Sequence, residues 1–459
     1  MVVGSGPGGT TSAKIISENT NTSIAVIEEG IENDEKIEMG THEDLSKRYR
    51  YGGAELIFST PNISIAEGRG LGGGSEINSG IYHRIQDQVI QNWSEKFKIE
   101  DLTNSSLDEH YKFIEKWLKV EKTGKKPKSI SKKLVDLASA SNLEIEECKT
   151  WNKNQISEKK QSMKAAFYNL ENNNVSVFTN MKAIKIIFDS NGKAKSLICK
   201  KGGKSVVFNF KKLILSCGTF QTPLLLRKSN YKFIHKTTFN IHPHLKLGAK
   251  FFDTLEEGEI VSNYQIKLDE YKSSIGSSIN SEAWKALFLL DNWFQFKEED
   301  LTNQLKKLGI FYSMIQPKGF GKMYISKRFD NYLLTYRFHE DDIISLFKTT
   351  ELLIDMLLKS DVEKLYLPNK NIHPIEKNSN ISMQNFKDNF KYFNIHSVHT
   401  FSSIRMGNQF AECDSNGTLK NSMNTLVADA SILPGPPGIN PQGPLMVLTA
   451  KNVFKFIDV

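Results

Sequence analysis

The chain opens MVVGSGPGGTTSA, and its first nine residues already hold the pattern G-x-G-x-x-G at Gly4, Gly6 and Gly9. TTSAKIISEN follows and reads as a helix. Then comes SIAVIEEG, a β-branched run of the kind found in buried parallel strands. Glu28 closes that run 19 positions after Gly9, close to the roughly 20-residue offset at which a carboxylate meets a ribose hydroxyl. Strand, glycine turn, helix, strand and acid in this order imply a dinucleotide-binding start in an α/β fold. Gly4 permits the tight turn, Gly6 lets backbone N–H groups approach a pyrophosphate, and Gly9 lets helix pack closely on strand. The helix N-terminus faces the phosphates with its partial positive charge. Only Met1, Val2 and Val3 precede the turn, so the first strand is expected to be unusually short, or the natural start to lie further upstream.

At 459 residues the chain is too long for one ordinary core, and two domains are expected, one of them discontinuous. An apolar share of 39% with 24% charged residues describes a globular chain, not a disordered one. No apolar run approaches the roughly 18 residues of a membrane span. The N-terminus lacks the basic and apolar regions of a signal peptide. The four cysteines, Cys148, Cys199, Cys217 and Cys413, form no C-x-x-C pair and read as reduced thiols, which suggests a cytoplasmic location. The net charge of +8 is spread along the chain, so nucleic acid is not an expected partner. Its one local run, KTGKKPKSISKK from Lys122 to Lys133, reads as a solvated loop.

LTNSSLDEHYKFIEKWLKV has helical periodicity, and KLILSCGTFQTPLLLRKS reads as strand, tight turn and helix. From about Leu247 the texture changes to longer alternating segments (EIVSNYQIKLDEY, GIFYSMIQPKGFGKMYISKRF, NYLLTYRFH), expected as antiparallel strands, before the long helix EDDIISLFKTTELLIDMLLKS. A second glycine cluster, EGRGLGGGSEINSGIYHR, places Gly72, Gly73 and Gly74 beside Ser75 and Asn78, where a backbone can run close against something flat or phosphorylated. A third cluster, LVADASILPGPPGINPQGPLMVLTAKN, reads as a short strand from Leu426 to Ala428 with Asp429 at its end. A Pro/Gly loop follows, and then a helix from about Asn440–Pro441.

Taken together and in order, VVGSGPGG with VIEEG, GRGLGGGSEINSG, LILSCGTFQTPLLL, and HTFSSIRMG with NTLVADASILPGPPGINPQG resemble the glucose–methanol–choline (GMC) flavin oxidoreductases. KKQSMKAAFYNL with NMKAIKI matches more loosely, where the family has the segment beside the adenine. The resemblance implies α/β architecture within an α+β whole: a discontinuous Rossmann-like FAD-binding domain and an antiparallel-sheet substrate-binding domain. The expected boundaries are 1–246 for the first FAD-binding part, with a helical insertion at about 100–150. The substrate-binding domain then spans 247–393, and the second FAD-binding part spans 394–459.

By the same resemblance FAD is the cofactor. Gly4, Gly6, Pro7 and Gly9 attend its pyrophosphate and Glu28 the adenosine ribose. Gly73, Gly74 and Asn78 lie along the flavin or its ribityl chain, and Ala183 meets adenine through its backbone. Asp429 and Ala430 close over the ribityl–phosphate end, Asn440, Pro441 and Gln442 sit beside the isoalloxazine, and Gly218 belongs to the same set. Some members tether FAD through a histidine in the second motif. Here Ile77 stands at that place, so non-covalent FAD is expected. The family's catalytic histidine falls on His399 in HTFSSIRMG, and its later partner on Asn440 in INPQG. Alcohol oxidation needs this combination: a neutral imidazole, of ordinary pKa near 6.5, takes the hydroxyl proton, and an amide N–H steadies the developing alkoxide.

The other histidines have plainer readings. His396 forms H-x-x-H with His399, which could mark a metal pair on a helix, but no further ligand cluster accompanies it and packing is the expectation; no metal is expected. His242 and His244 in IHPH read as polar loop residues, and His83, just after the flavin-facing segment, is a minor candidate for the substrate entrance. The alternatives left open are a flavin reductase or monooxygenase, which would need a second nicotinamide loop or a redox cysteine pair, and a non-catalytic flavin-binding paralogue. The sequence leaves undetermined the alcohol, the electron acceptor (oxygen, quinone or carrier protein) and the oligomeric state.

Overall fold

A computed structural model of the chain describes all residues except 33–36, 38–39, 152–161, 169, 171–173, 232–235, 257–260, 279, 290–300, 327–330, 378–382, 408–410 and 458–459. The opening motif is built as the sequence implies. Strand Val2–Val3 runs into the glycine turn, helix Pro7–Asn19 follows with Pro7 in its first turn, and strand Ile24–Ile27 returns parallel to the first. The first strand is two residues long and still sits centrally. It pairs in parallel with Leu213–Leu215 on one side and Ile24–Ile27 on the other; Thr425–Val427 and Val175–Phe178 extend the sheet beyond them. The strand is so short because Gly4 takes φ +99°, while its N–H still bonds the Ile27 carbonyl at 2.8 Å. The carboxyl ends of these parallel strands all open on one side, where an open α/β sheet holds its ligand.

A second, antiparallel sheet stands against that side. It includes strands His244–Phe251, Leu308–Ile315, Ser273–Ser277 and Tyr264–Leu268, of which the second and fourth fall in the alternating segments. It also recruits Ile63–Ile65 and Ile395–Ser397 from the flanks. Helix Glu340–Leu358 covers its far face and is started by a capping arrangement in which Asp342 bonds the His339 N–H at 3.0 Å. A smaller sheet joins Lys236–Ile241, Phe320–Ser326 and Asn331–Arg337 to Thr400–Phe401. One apolar core runs continuously through the parallel sheet and the larger antiparallel one.

Two local expectations are corrected. The basic run is a loop only as far as Lys128, because helix Ser129–Ala140 buries Ile130 and Leu134 and draws Lys132 and Lys133 onto its surface. His244 belongs to a strand, and His242, just before it, is fully buried. The loosely matching segment KKQSMKAAFYNL lies partly outside the described residues; within it Met163–Tyr168 is helical.

Candidate active site

The glycine loops fall into two kinds. At Gly9 a Cβ would lie 2.0 Å from the Gly4 carbonyl oxygen, and at Gly73, with φ +56°, 2.8 Å from the Gly6 Cα: here glycine is demanded by the protein's own backbone. At Gly6 the nearest atom to a Cβ is 3.9 Å away, and at Gly74 and Gly218 nothing lies within 4 Å. These three line a cavity of about 460 Å³. Bare backbone facing a cavity at a helix N-terminus is what a pyrophosphate needs, so the residues present fit a dinucleotide.

The cavity runs from these loops to the antiparallel sheet. Its lining takes in Gly4, Gly6, Pro7, Glu28, Gly73, Gly74, Asn78, Ala183, Gly218, Asp429, Ala430, Asn440, Pro441 and Gln442, as well as Ile77 and His399. Gly9 stands one turn behind, in the helix. Glu28 is held by its own surroundings: Ser5 donates to Oε2 through its N–H at 3.1 Å and its hydroxyl at 2.6 Å, and the Gly30 N–H donates to Oε1 at 2.8 Å. Burial pushes its pKa up against those bonds. Asp429 accepts from the Gly218 N–H at 3.0 Å, from the Thr222 hydroxyl and from the Ser431 N–H at 2.9 Å, so it pins the Gly218 turn in place. Asn78 donates to Gln442 Oε1, which ties the second glycine motif to the start of helix Gln442–Ile457.

His399 and Asn440, 41 positions apart, meet at the cavity wall with Nε2 and Nδ2 3.4 Å apart. The amide is held from behind. Gln265, on strand Tyr264–Leu268, donates to Asn440 Oδ1 at 3.2 Å and to the Tyr312 hydroxyl at 2.8 Å, while its own Oε1 meets His83 Nε2 at 3.1 Å. In this arrangement Asn440 turns its N–H toward His399. His83, a minor candidate for the entrance, is buried and supports Gln265.

On its other side His399 faces His242, with the two Nδ1 atoms 3.2 Å apart, and His244, whose ring centroid is 5.3 Å away. Two proton arrangements satisfy the His399–His242 contact. With the proton on His399 Nδ1, its Nε2 lone pair is free toward Asn440, and His242 presents an N–H to the Gly438 N–H at 3.3 Å. With the proton on His242 Nδ1, the Gly438 N–H donates to His242 Nε2, but His399 then carries its own proton on Nε2, facing the Asn440 N–H. Burial lowers the His399 pKa to about 3, with His83 adding to the effect, so the imidazole is neutral at ordinary pH. His242 and His244 are held well below the usual value by burial and then by His399. His396 lies in strand Ile395–Ser397, not on a helix, and its Nδ1 bonds the Ser64 hydroxyl at 2.6 Å.

The middle of the chain thus brings residues to the site that no motif marked: His242, His244, Lys246, Gln265 and Tyr312. A signal existed in HPHLKLG, where residues two apart share a strand face, so His244 and Lys246 stand together with Leu245 and Leu247 opposite.

Comparison with known proteins gives a consistent picture. A family model described as GMC oxidoreductase, N-terminal, matches residues 45–253, and its C-terminal counterpart matches 321–449. An uncharacterized GMC-type oxidoreductase, y4nJ, of Sinorhizobium fredii is 26% identical, with 98% of this chain and 92% of that protein aligned. Among solved structures, pyridoxine 4-oxidase from Mesorbium loti superimposes with a TM-score of 0.76 at 14% identity, covering 100% of this chain and 99% of the other. A variant formate oxidase from Aspergillus oryzae RIB40 gives 0.77 at 15% identity, covering 100% and 97%. At such identities these two structures speak for the fold.

Proposed function

The chain belongs to the GMC oxidoreductases, FAD-binding enzymes, and from that premise we propose that it oxidises the CH–OH group of a small alcohol. The observation that carries this reading is the His399–Asn440 pair at the wall of the cavity that the glycine loops enter. Gly4, Gly6, Pro7, Gly74, Gly218, Asp429 and Ala430 would hold the phosphates and ribityl chain, Glu28 and Ala183 the adenosine, and Asn78, Pro441 and Gln442 the ring system. FAD, once bound, supplies the hydride acceptor. His399, with its proton on Nδ1 and directed to His242, takes the hydroxyl proton at Nε2. Asn440, oriented by Gln265, donates an N–H to the alkoxide that develops. Isoleucine at position 77 offers no nitrogen for a tether, which supports dissociable FAD.

His399→Ala is expected to fold and keep FAD but to bleach its flavin anaerobically roughly 10²–10⁴-fold more slowly with a saturating alcohol, the usual worth of a positioned acid–base group. Because burial holds His399 neutral down to about pH 3, the wild-type rate has no acid limb near pH 6.5 from this group. Bleaching at the wild-type rate in His399→Ala removes His399 from the role. Release of all the flavin by acid precipitation tests the non-covalent reading independently.

A further inference from the structure

Lys246 follows His244 by two residues on strand His244–Phe251, so both side chains stand on the same face, and both line the cavity. Across the sheet Lys246 pairs in register with Tyr312, which lines the cavity too. Leu245 and Leu247, on the opposite face, are fully buried in the core, so the strand cannot turn its cation outward without a register change.

Lys246 is half-buried, and lysines buried more deeply nearby have visible partners. Lys250, further along the same strand, pairs with Glu363 at 3.3 Å, and Lys285 donates to the Leu305 carbonyl at 3.0 Å. Among the described residues no carboxylate pairs with the Lys246 ammonium, and burial alone accounts for the lowering of its pKa to about 8. It therefore remains largely protonated at neutral pH. After burial, its charge is what holds His396 neutral, and it also presses on His244. The acids that line the cavity are engaged elsewhere: Glu28 with Ser5 and Gly30, Glu29 and Glu67 with Arg50, and Asp429 with Gly218 and Thr222. An ammonium half-buried in a cavity wall without a counter-charge is a ready receptor for an anionic ligand group.

We propose that Lys246 receives a carboxylate of the substrate, so that the alcohol this enzyme oxidises is a small hydroxy acid. The proposal rests on the alcohol-oxidation reading for its chemistry and on Lys246 for its selectivity. Two strand residues span about 7 Å, and His244, two before Lys246, has its ring beside that of His399. A carboxylate on Lys246 and a carbinol carbon at His399 would thus share one cavity. The same cavity is also lined by Trp284, Phe288 and Ile310, with Ser277 and Ser278 among them. A single ammonium suits a carboxylate; a phosphate more often recruits the fork of a guanidinium, and Arg50 is committed to Glu29 and Glu67.

The FAD-loaded protein is titrated with benzoate and with benzamide, following the flavin absorption bands, at pH 7. Benzoate is expected to bind at least tenfold more tightly than benzamide, with the difference abolished in Lys246→Met and largely kept in Lys246→Arg. In parallel, 4-(hydroxymethyl)benzoate and its methyl ester are compared by anaerobic flavin bleaching, where the acid-to-ester ratio of kcat/KM is expected to fall from tenfold or more to near one in Lys246→Met. Equal binding of benzoate and benzamide to the wild type, or a benzoate preference that survives in Lys246→Met, overturns the proposal. So does a Lys246→Met protein whose acid-to-ester ratio is unchanged while its reduced-flavin spectrum shifts, since Lys246 would then serve the flavin. If neither alcohol bleaches the flavin while benzoate still binds through Lys246, the carboxylate site stands and the alcohol-oxidation reading falls.

Discussion

At Gly6 and Gly9 the same residue type meets opposite demands. Gly9 is surrounded by protein, its missing Cβ standing 2.0 Å from a backbone oxygen, whereas Gly6 looks into the cavity with φ −66°, a value any residue adopts. Gly6→Val is therefore expected to give a folded protein with near-wild-type thermal stability that purifies without FAD, because its side chain fills space meant for the pyrophosphate. Gly9→Ala is expected to lose stability itself, since Gly4 and the helix start must move apart. Absorbance at the flavin bands against the unfolding midpoint separates the two. A Gly6→Val protein with stoichiometric FAD would show that this glycine does not face the phosphates. Glu28 sits between these extremes, because its carboxylate already organises Ser5 and Gly30. Glu28→Ala should thus disturb the loop as well as any ribose contact.

The element that decides the chemistry is a strand pair rather than a loop. Gln265 on Tyr264–Leu268 reaches over Gly276, where a Cβ would stand 2.5 Å from the Tyr312 hydroxyl, and fixes the Asn440 amide. Gln265→Leu is expected to retain FAD, to lose about 1–3 kcal/mol of stability from the buried polar groups left unpaired, and to slow anaerobic bleaching about tenfold, as for a misdirected hydrogen bond. An unchanged bleaching rate would mean that Asn440 needs no such support. Nothing in NYQIKLDEY advertises this role, since a strand glutamine is ordinarily a solvent-facing residue. The parallel-sheet end was readable because glycines, acids and helix starts recur at fixed local offsets: G-x-G-x-x-G, Glu28, Asp429 and the helix after Pro441 all lie where their spacing implied. The antiparallel end was readable as strands but not as a site. Which strand faces the cavity depends on pairings such as Lys246 with Tyr312 and His244 with His396, which are set by contacts far apart in sequence. His242 and His244 illustrate the failure: as dipeptide neighbours of proline they look like loop residues, and only tertiary packing shows them buried against His399.

On the scale of the whole molecule, half of the chain's ten histidines (His83, His242, His244, His396 and His399) gather around one cavity, and burial lowers the pKa of each. His83 falls to about 4, and His396 and His399 to about 3. An unfolded histidine titrates near 6.5, so below that pH the unfolded chain binds protons that the folded one refuses. The stability contributed by these groups is full above about pH 6.5 and is lost as pH falls toward the folded values. Each group removes up to about 1.4 kcal/mol per pH unit. Glu67 works the other way: burial raises its pKa to about 8, so its contribution is full below about 4.5 and declines as pH rises. Glu28, Glu55, Glu412 and Asp429 are shifted in the same direction as Glu67. Between pH 6.5 and 5 these carboxyls oppose the histidines, because they are ionised in the unfolded chain where the folded chain protonates them, so the slope of the whole protein is a difference and the part due to one imidazole is read by substituting it. His399→Gln, with FAD bound, is therefore expected to lose stability less steeply than the wild type from pH 6.5 to 5, by up to about 1.4 kcal/mol per pH unit. Denaturant midpoints measured across that range, together with the release of flavin fluorescence, read the slope. Equal slopes in the two proteins would mean that His399 is already charged in the fold, and a charged His399 could not receive the hydroxyl proton of an alcohol.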